Sequence, residues 1–333
     1  MLLEKRERLF LTIIISLLIL AVFVLVLTNP KMRTDEPYKQ NAKNILVISA
    51  GDFKDELDKL KQFYTNKDLH YDVQNFIISL DVSPKDWNVI ANVIFDGYNT
   101  HDAFVILHNP DTLAYTASGL SFMLENLNKT VVLSTNAILA MRIAQEYKIP
   151  EVVVVDGNSA EILRGCRTKR IKSFFTSPSF PIIGKADNNI VINKDLLLIP
   201  PTEPFKLLPV EPNKKVMVIK LFPGINLHDM VKDQRIFGIV LETYDEGDIP
   251  TDPKFMETIQ GLIRSGTIIL NVSQTMSIVG DKNGLEQVGV IPCGGMTTEA
   301  AFAKLYLIIS QLSKYDSELV SKLIKTDMRG ENL

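Results

Sequence analysis

The sequence predicts an α/β protein, a parallel sheet with helices on both faces followed by a second, smaller α/β unit. Three observations carry this reading. Continuous apolar runs such as Phe104-Val105-Ile106-Leu107 alternate with amphipathic stretches, the pattern of strands buried on both faces between covering helices. Pro200, Pro201, Pro204, Pro209 and Pro212 cluster as a stiff linker, and a shorter strand–helix alternation follows it. The 333 residues leave room for two ordinary domains, and 46% hydrophobic content is enough for a sizeable core.

The first element is the run Leu9 to Leu27, whose only polar members are Thr12 and Ser16. At about 1.5 Å per residue it nearly crosses a hydrocarbon layer of roughly 30 Å. It is longer than a usual signal-peptide core and no small-residue cleavage site follows. The expectation is therefore an uncleaved single-pass membrane anchor in residues 1–28, with the membrane as partner through residues 9–27. Basic residues flank it on both sides, so orientation stays open. Residues 29–43, polar and carrying Pro30 and Pro37, read as a stalk.

Strands are expected near 44–49, 73–79, 103–107, 130–134 and 151–155, and helices near 55–64, 84–97, 112–126, 136–147 and 158–164. After the linker at 200–213, strands are expected near 215–221, 236–241, 267–271 and 287–291. Helices near 253–264, 297–313 and 316–324 complete the second unit. Trp87 lies on an amphipathic helix and reads as core. Tyr115 and Met123, eight residues apart, read as a packing face.

Composition excludes several functions. A net charge of −3 without a basic, aromatic-interleaved stripe argues against a nucleic-acid partner. Cys166 and Cys293 have neither disulfide-framework nor zinc-ligand spacing and read as ordinary thiols. No Gly-x-Gly-x-x-Gly follows a strand and no metal-ligand cluster appears, so no cofactor is expected.

The stretch His108-Asn109-Pro110-Asp111-Thr112-Leu113-Ala114-Tyr115-Thr116-Ala117-Ser118 falls at the carboxyl end of a strand, where open α/β sheets present their sites. It resembles the second active-site motif of the type I L-asparaginases, which reads His-Gly-Thr-Asp-Thr-Met-Ala-Tyr-Thr-Ala-Ser. Further matches follow in family order. They are Ile149-Pro150-Glu151-Val152, Leu163-Arg164-Gly165-Cys166-Arg167-Thr168, Leu221-Phe222-Pro223-Gly224-Ile225, Leu241-Glu242-Thr243-Tyr244, Asn271-Val272-Ser273-Gln274 and Met296-Thr297-Thr298-Glu299-Ala300-Ala301. The resemblance implies a two-domain asparaginase-like fold, with domains at 44–199 and 214–325. It also implies a homo-oligomer in which each site draws on both domains.

The resemblance also shows where this chain departs from the family. The first nucleophilic threonine falls on Phe53, in Ala50-Gly51-Asp52-Phe53-Lys54, and the second falls on Pro110. Neither side chain has an oxygen to form an acyl-enzyme. The family lysine falls on Arg170, which cannot be tuned to accept a proton; Lys169 is one residue away. The substrate-binding aspartate-serine pair aligns with Ile78 and Ser79, and Asp248 stands where the second domain usually offers asparagine. Asp111 is kept, either as a ligand for an α-ammonium group or, the favoured reading, as the N-cap of a helix beginning at Leu113. His108 reads as a structural histidine. The loop after Ala137 is shorter than the family's.

No catalytic residue is therefore expected at Phe53, Pro110, Asp111 or Arg170, and Ile78, Ser79, Asp111 and Asp248 are expected to be vestigial. The function expected is a membrane-anchored, asparaginase-like protein without catalysis, acting by binding or assembly on a ligand the sequence does not name. The alternatives are an L-asparaginase that converts L-asparagine to L-aspartate and ammonia at a rearranged site, and a sensor that keeps a pocket without the chemistry.

Overall fold

The computed structural model describes residues 38–65, 69–76, 81–232, 234–280, 284–312 and 316–332. Everything from Gln40 onward forms one compact unit. The expected anchor at 9–27 lies outside the described residues, as do Ile78 and Ser79. The membrane expectation is corrected: among the described residues no helix is long and apolar enough to cross a membrane.

The first sheet begins with β1 (Asn44–Ala50), α1 (Lys54–Tyr64), β2 (His70–Phe76), α2 (Pro84–Gly97) and β3 (Ala103–His108). The chain continues with α3 (Leu113–Met123), β4 (Leu124–Glu125), which lies outside this sheet, β5 (Thr130–Ser134), α4 (Ala137–Glu146), β6 (Val152–Val155) and β7 (Glu161–Arg164). The hairpin β8 (Lys169–Ile171) and β9 (Phe174–Thr176) stands apart, and β10 (Gly184–Ala186) and β11 (Ile190–Ile192) extend the sheet. Its order is β11-β10-β7-β6-β5-β3-β1-β2. The pairs joining β2, β1, β3, β5 and β6 are parallel, and those from β6 to β11 are antiparallel.

Local chemistry sets these elements. Pro84 starts α2, and Asp86 reaches back to the Ser83 amide at 2.8 Å. Asp102 accepts the Lys43 and Asn44 amides at 2.8 and 3.0 Å, fixing the entry into β1. α3 is buried nearly all round, so its boundary is set by packing rather than amphipathicity. It ends at Met123 rather than near 126 because Leu124 and Glu125 pair with β12 (Lys206–Leu207) of the proline-rich segment.

The second sheet holds β13 (Val216–Lys220), β14 (Gly238–Thr243), β15 (Ile268–Ser273) and β16 (Ile291–Pro292), all parallel. Around it lie α5 (Leu227–Val231), α6 (Pro253–Arg264), α7 (Thr298–Gln311) and α8 (Ser317–Lys325). One core runs from the first sheet onto one face of the second, joined where α3 packs on α7, and a separate core lies on the second sheet's other face under α5 and α6. At this joint Trp87 sets its ring edge against Phe302 and Tyr306, with centroids 6.1 and 6.3 Å away. A Cβ on Gly119 would come within 2.6 Å of the Trp87 ring, so glycine is what lets α3 approach.

Two elements differ from expectation. Residues expected as a helix near 158–164 form β7 instead. Asp156 Oδ1 accepts the Asn158 and Ser159 amides at 2.7 Å, closing a turn that reverses the chain onto β6. The strand expected near 287–291 is a 3-10 turn, Glu286–Val288, with only Ile291–Pro292 paired, because Gly289 at φ 101° breaks the extended run.

Candidate functional site

Parallel register assembles the candidate site. Ala50 lies opposite Phe76 and His108, and Leu107 opposite Ser134. The loops after β1 and β3 therefore leave the sheet side by side at its carboxyl edge, where ligands meet such sheets. Phe53 sits at the entry to α1, and its ring lies over Gly51, whose φ of 142° suits glycine. Pro110 is half-buried in the turn before α3.

Asp111 does not cap α3. Thr112 occupies the cap position, without a side-chain cap bond. The Asp111 amide donates to Asn109 Oδ1 at 3.2 Å, and its carboxylate forms an ion pair with the Arg170 guanidinium. The capping expectation fails because the β8–β9 hairpin brings a cation over the turn. Asp111 is 71% exposed and Arg170 32%, so water screens the pair.

Strand alternation separates Arg170 from its neighbour. Arg170 pairs across the hairpin with Phe175 and Lys169 with Thr176, so their side chains leave opposite faces. Lys169 Nζ lies 3.4 Å from both carboxylate oxygens of Glu299, in the first turn of α7. It is thus committed to Glu299 while Arg170 holds Asp111. Burial raises the Glu299 carboxyl above its ordinary range, opposed by Lys169. Nearby, Thr298 donates to Glu242 at 2.5 Å, and burial with the Glu299 and Glu242 charges pushes the Tyr115 phenol up.

His108 is fully buried. Its Nδ1 lies 2.8 Å from the Asn109 carbonyl, which accepts a hydrogen only if Nδ1 carries one, so Nε2 is the bare nitrogen of the neutral ring. Nε2 has no hydrogen-bond partner among the described residues. Burial lowers its pKa from 6.5 to about 4. The hydroxyls of Thr112, Thr116 and Ser118 are also buried without partners among the described residues, so no histidine–hydroxyl pair forms among them. Asp248 lies in an exposed turn closed by two backbone bonds with Tyr244. No group of three or more His, Cys, Asp or Glu among the described residues is arranged to hold a metal ion.

The Lys169–Glu299 bridge was not anticipated from sequence, because nothing local links residues 130 apart. Lys304 did leave a signal: one lysine inside the apolar run Ala300 to Ile309. It is fully buried and ion-paired with the equally buried Glu331.

Two open α/β sheets in this order, with the candidate loops at the carboxyl edge of the larger, define a two-domain asparaginase-type protein. The sequence signature described as "Asparaginase, N-terminal" matches residues 38–198, and that of the "Glutaminase/Asparaginase C-terminal domain" matches residues 215–323. L-asparaginase 1 of Escherichia coli is 30% identical over 88% of this chain and 94% of its own. The crystal structure of L-asparaginase I from Vibrio cholerae superposes with a TM-score of 0.77 at 29% identity, covering 87% of this chain and 99% of that one. The thermostable L-asparaginase of Thermococcus kodakarensis, at 23% identity and a TM-score of 0.76, covers 87% and 99% and shares the fold. The chain belongs to the asparaginase family, as a type I asparaginase-like member.

Proposed function

We propose that this chain is a catalytically retired asparaginase-like protein that acts by binding or assembly as a homo-oligomer. One observation carries the proposal. A phenyl ring and a pyrrolidine ring stand where the family places hydroxyls, and Arg170 is turned onto Asp111, the carboxylate kept from the motif. Amide hydrolysis through an acyl-enzyme needs a positioned hydroxyl and a base. His108 Nε2 meets no hydroxyl among the described residues, and Lys169 is held by Glu299. The vestigial ligand positions Ile78, Ser79 and Asp248 belong to the same reading.

The names of the relatives favour a second reading, an L-asparaginase with a rearranged site. Ser49, Thr112 and Ser134 are the candidate hydroxyls near the described strand ends, and Ser49 Oγ donates to the Gly51 carbonyl at 3.1 Å. Ser134 Oγ already donates to the Val155 carbonyl at 2.9 Å, and the Thr112 hydroxyl has no partner among the described residues. Ammonia release from L-asparagine and L-glutamine separates the two readings: the retired site gives none above a buffer blank, and the rearranged site gives turnover.

A further inference from the structure

A cavity lies away from the carboxyl edge, between the segment after β4, the segment before β6 and the chain's last residues. Its volume is about 290 Å³, at the lower end of small-ligand pockets. Leu124, Leu127, Pro150 and Val152 give it an apolar floor, and Leu198 and Ile199 form a rim. Ile199 is 89% exposed, a large apolar side chain left in water at the mouth.

The charges in the wall are unequal. Glu151 and Arg164 neutralise each other, with Arg164 Nε 2.7 Å from Glu151 Oε2. Their remaining capacity is used: Glu151 accepts the Leu198 amide at 3.0 Å, and Arg164 donates to the Leu196 carbonyl at 2.5 Å. Arg329 is different. Its Nε donates to the Ser121 carbonyl at 3.0 Å and its Nη1 to the Met328 carbonyl at 2.8 Å. Its Nη2 is itself buried and meets no acceptor, and no carboxylate pairs with the guanidinium among the described residues. The wall therefore carries one uncompensated guanidinium beside an apolar floor.

We propose that this cavity binds a single-chain amphiphile with an oxyanion head. The carboxylate or phosphate monoester sits on Arg329, and the chain lies along Leu124, Leu127 and Ile199. A turn of the fork brings the buried Nη2 to the cavity at the expense of carbonyl bonds but of no carboxylate contact, and an oxyanion then supplies the acceptor that the guanidinium lacks. The apolar chain covers the exposed Ile199. A cationic amphiphile has the same chain and the wrong sign.

The test is calorimetric titration of the full chain with decanoate, decyl phosphate and decyltrimethylammonium, each below its self-association concentration. Two variants accompany the native chain. Arg329→Met keeps the apolar stem and removes the donor. Ile199→Glu places a negative charge at an exposed position whose packing the fold does not use. Saturable one-to-one binding of an oxyanion, weakened about tenfold or more in both variants, with no binding of the cation, is the expected result. Whichever oxyanion binds more tightly identifies the head group. No saturable binding of either oxyanion, equal binding of the cation, or undiminished affinity in Ile199→Glu overturns the proposal.

Discussion

Lowering the pH from 7.5 to 4.5 destabilises the fold through His108. The ring is fully buried and neutral, with a folded pKa of about 4 against the ordinary 6.5. Between these values the unfolded chain takes up a proton that the folded chain refuses. The contribution of His108 is thus fully present above pH 6.5 and is lost as the pH falls toward 4. At about 1.4 kcal/mol per pH unit, the loss reaches about 2 to 3 kcal/mol at pH 4.5. Glu151 and Glu299, raised by burial, work in the opposite sense, because their folded forms take up protons first. The difference between the native chain and His108→Gln isolates the histidine. Urea unfolding at the two pH values is the assay. The native chain loses about 2 to 3 kcal/mol more than the variant on acidification. Equal losses in the two proteins refute the assignment of a buried neutral ring.

Further outcomes follow from packing and from the proposed assembly. Gly119→Ala drives a methyl group to within 2.6 Å of the Trp87 ring and lowers stability by about 1 to 3 kcal/mol in urea melts, although alanine favours helix. Lys169→Met leaves the buried Glu299 carboxylate without its counter-charge and lowers stability by about 2 to 4 kcal/mol, whereas Arg170→Ala, at a screened pair, changes it by less than about 1 kcal/mol. Light scattering at micromolar concentration gives a closed homo-oligomer; a monomer counts against assembly as the working state.

The fold was legible where strands are continuous and apolar. Phe104-Val105-Ile106-Leu107 and Thr130-Val131-Val132-Leu133 became neighbouring central strands within a residue of their expected limits. Ile162 and Leu163 were not readable as strand, because a short apolar pair fits either period, and it took the Asp156 turn to lay it against β6. The substitutions at Phe53 and Pro110 were visible in the motif, but the fate of Asp111 was not. Helix position favoured a cap, and only the hairpin, far along the chain, brought Arg170 to it. The C-terminal segment gave least away. The buried Glu331 holds Lys304 and accepts the Met328 and Arg329 amides, contacts that depend on chain closure rather than on local pattern.

The central claim is that the site at the carboxyl edge of the first sheet performs no amide hydrolysis. Its most direct test is ammonia release from L-asparagine by the native chain, run beside a Ser79→Ala, Thr112→Val, Ser134→Ala triple variant and an active family member. Working enzymes commonly turn over at about 1 to 1000 per second, far above a blank. The account predicts the blank rate for the native chain and the triple variant alike. Turnover in that range by the native chain, whether kept or abolished in the variant, contradicts it, and abolition assigns the chemistry to one of those three hydroxyls.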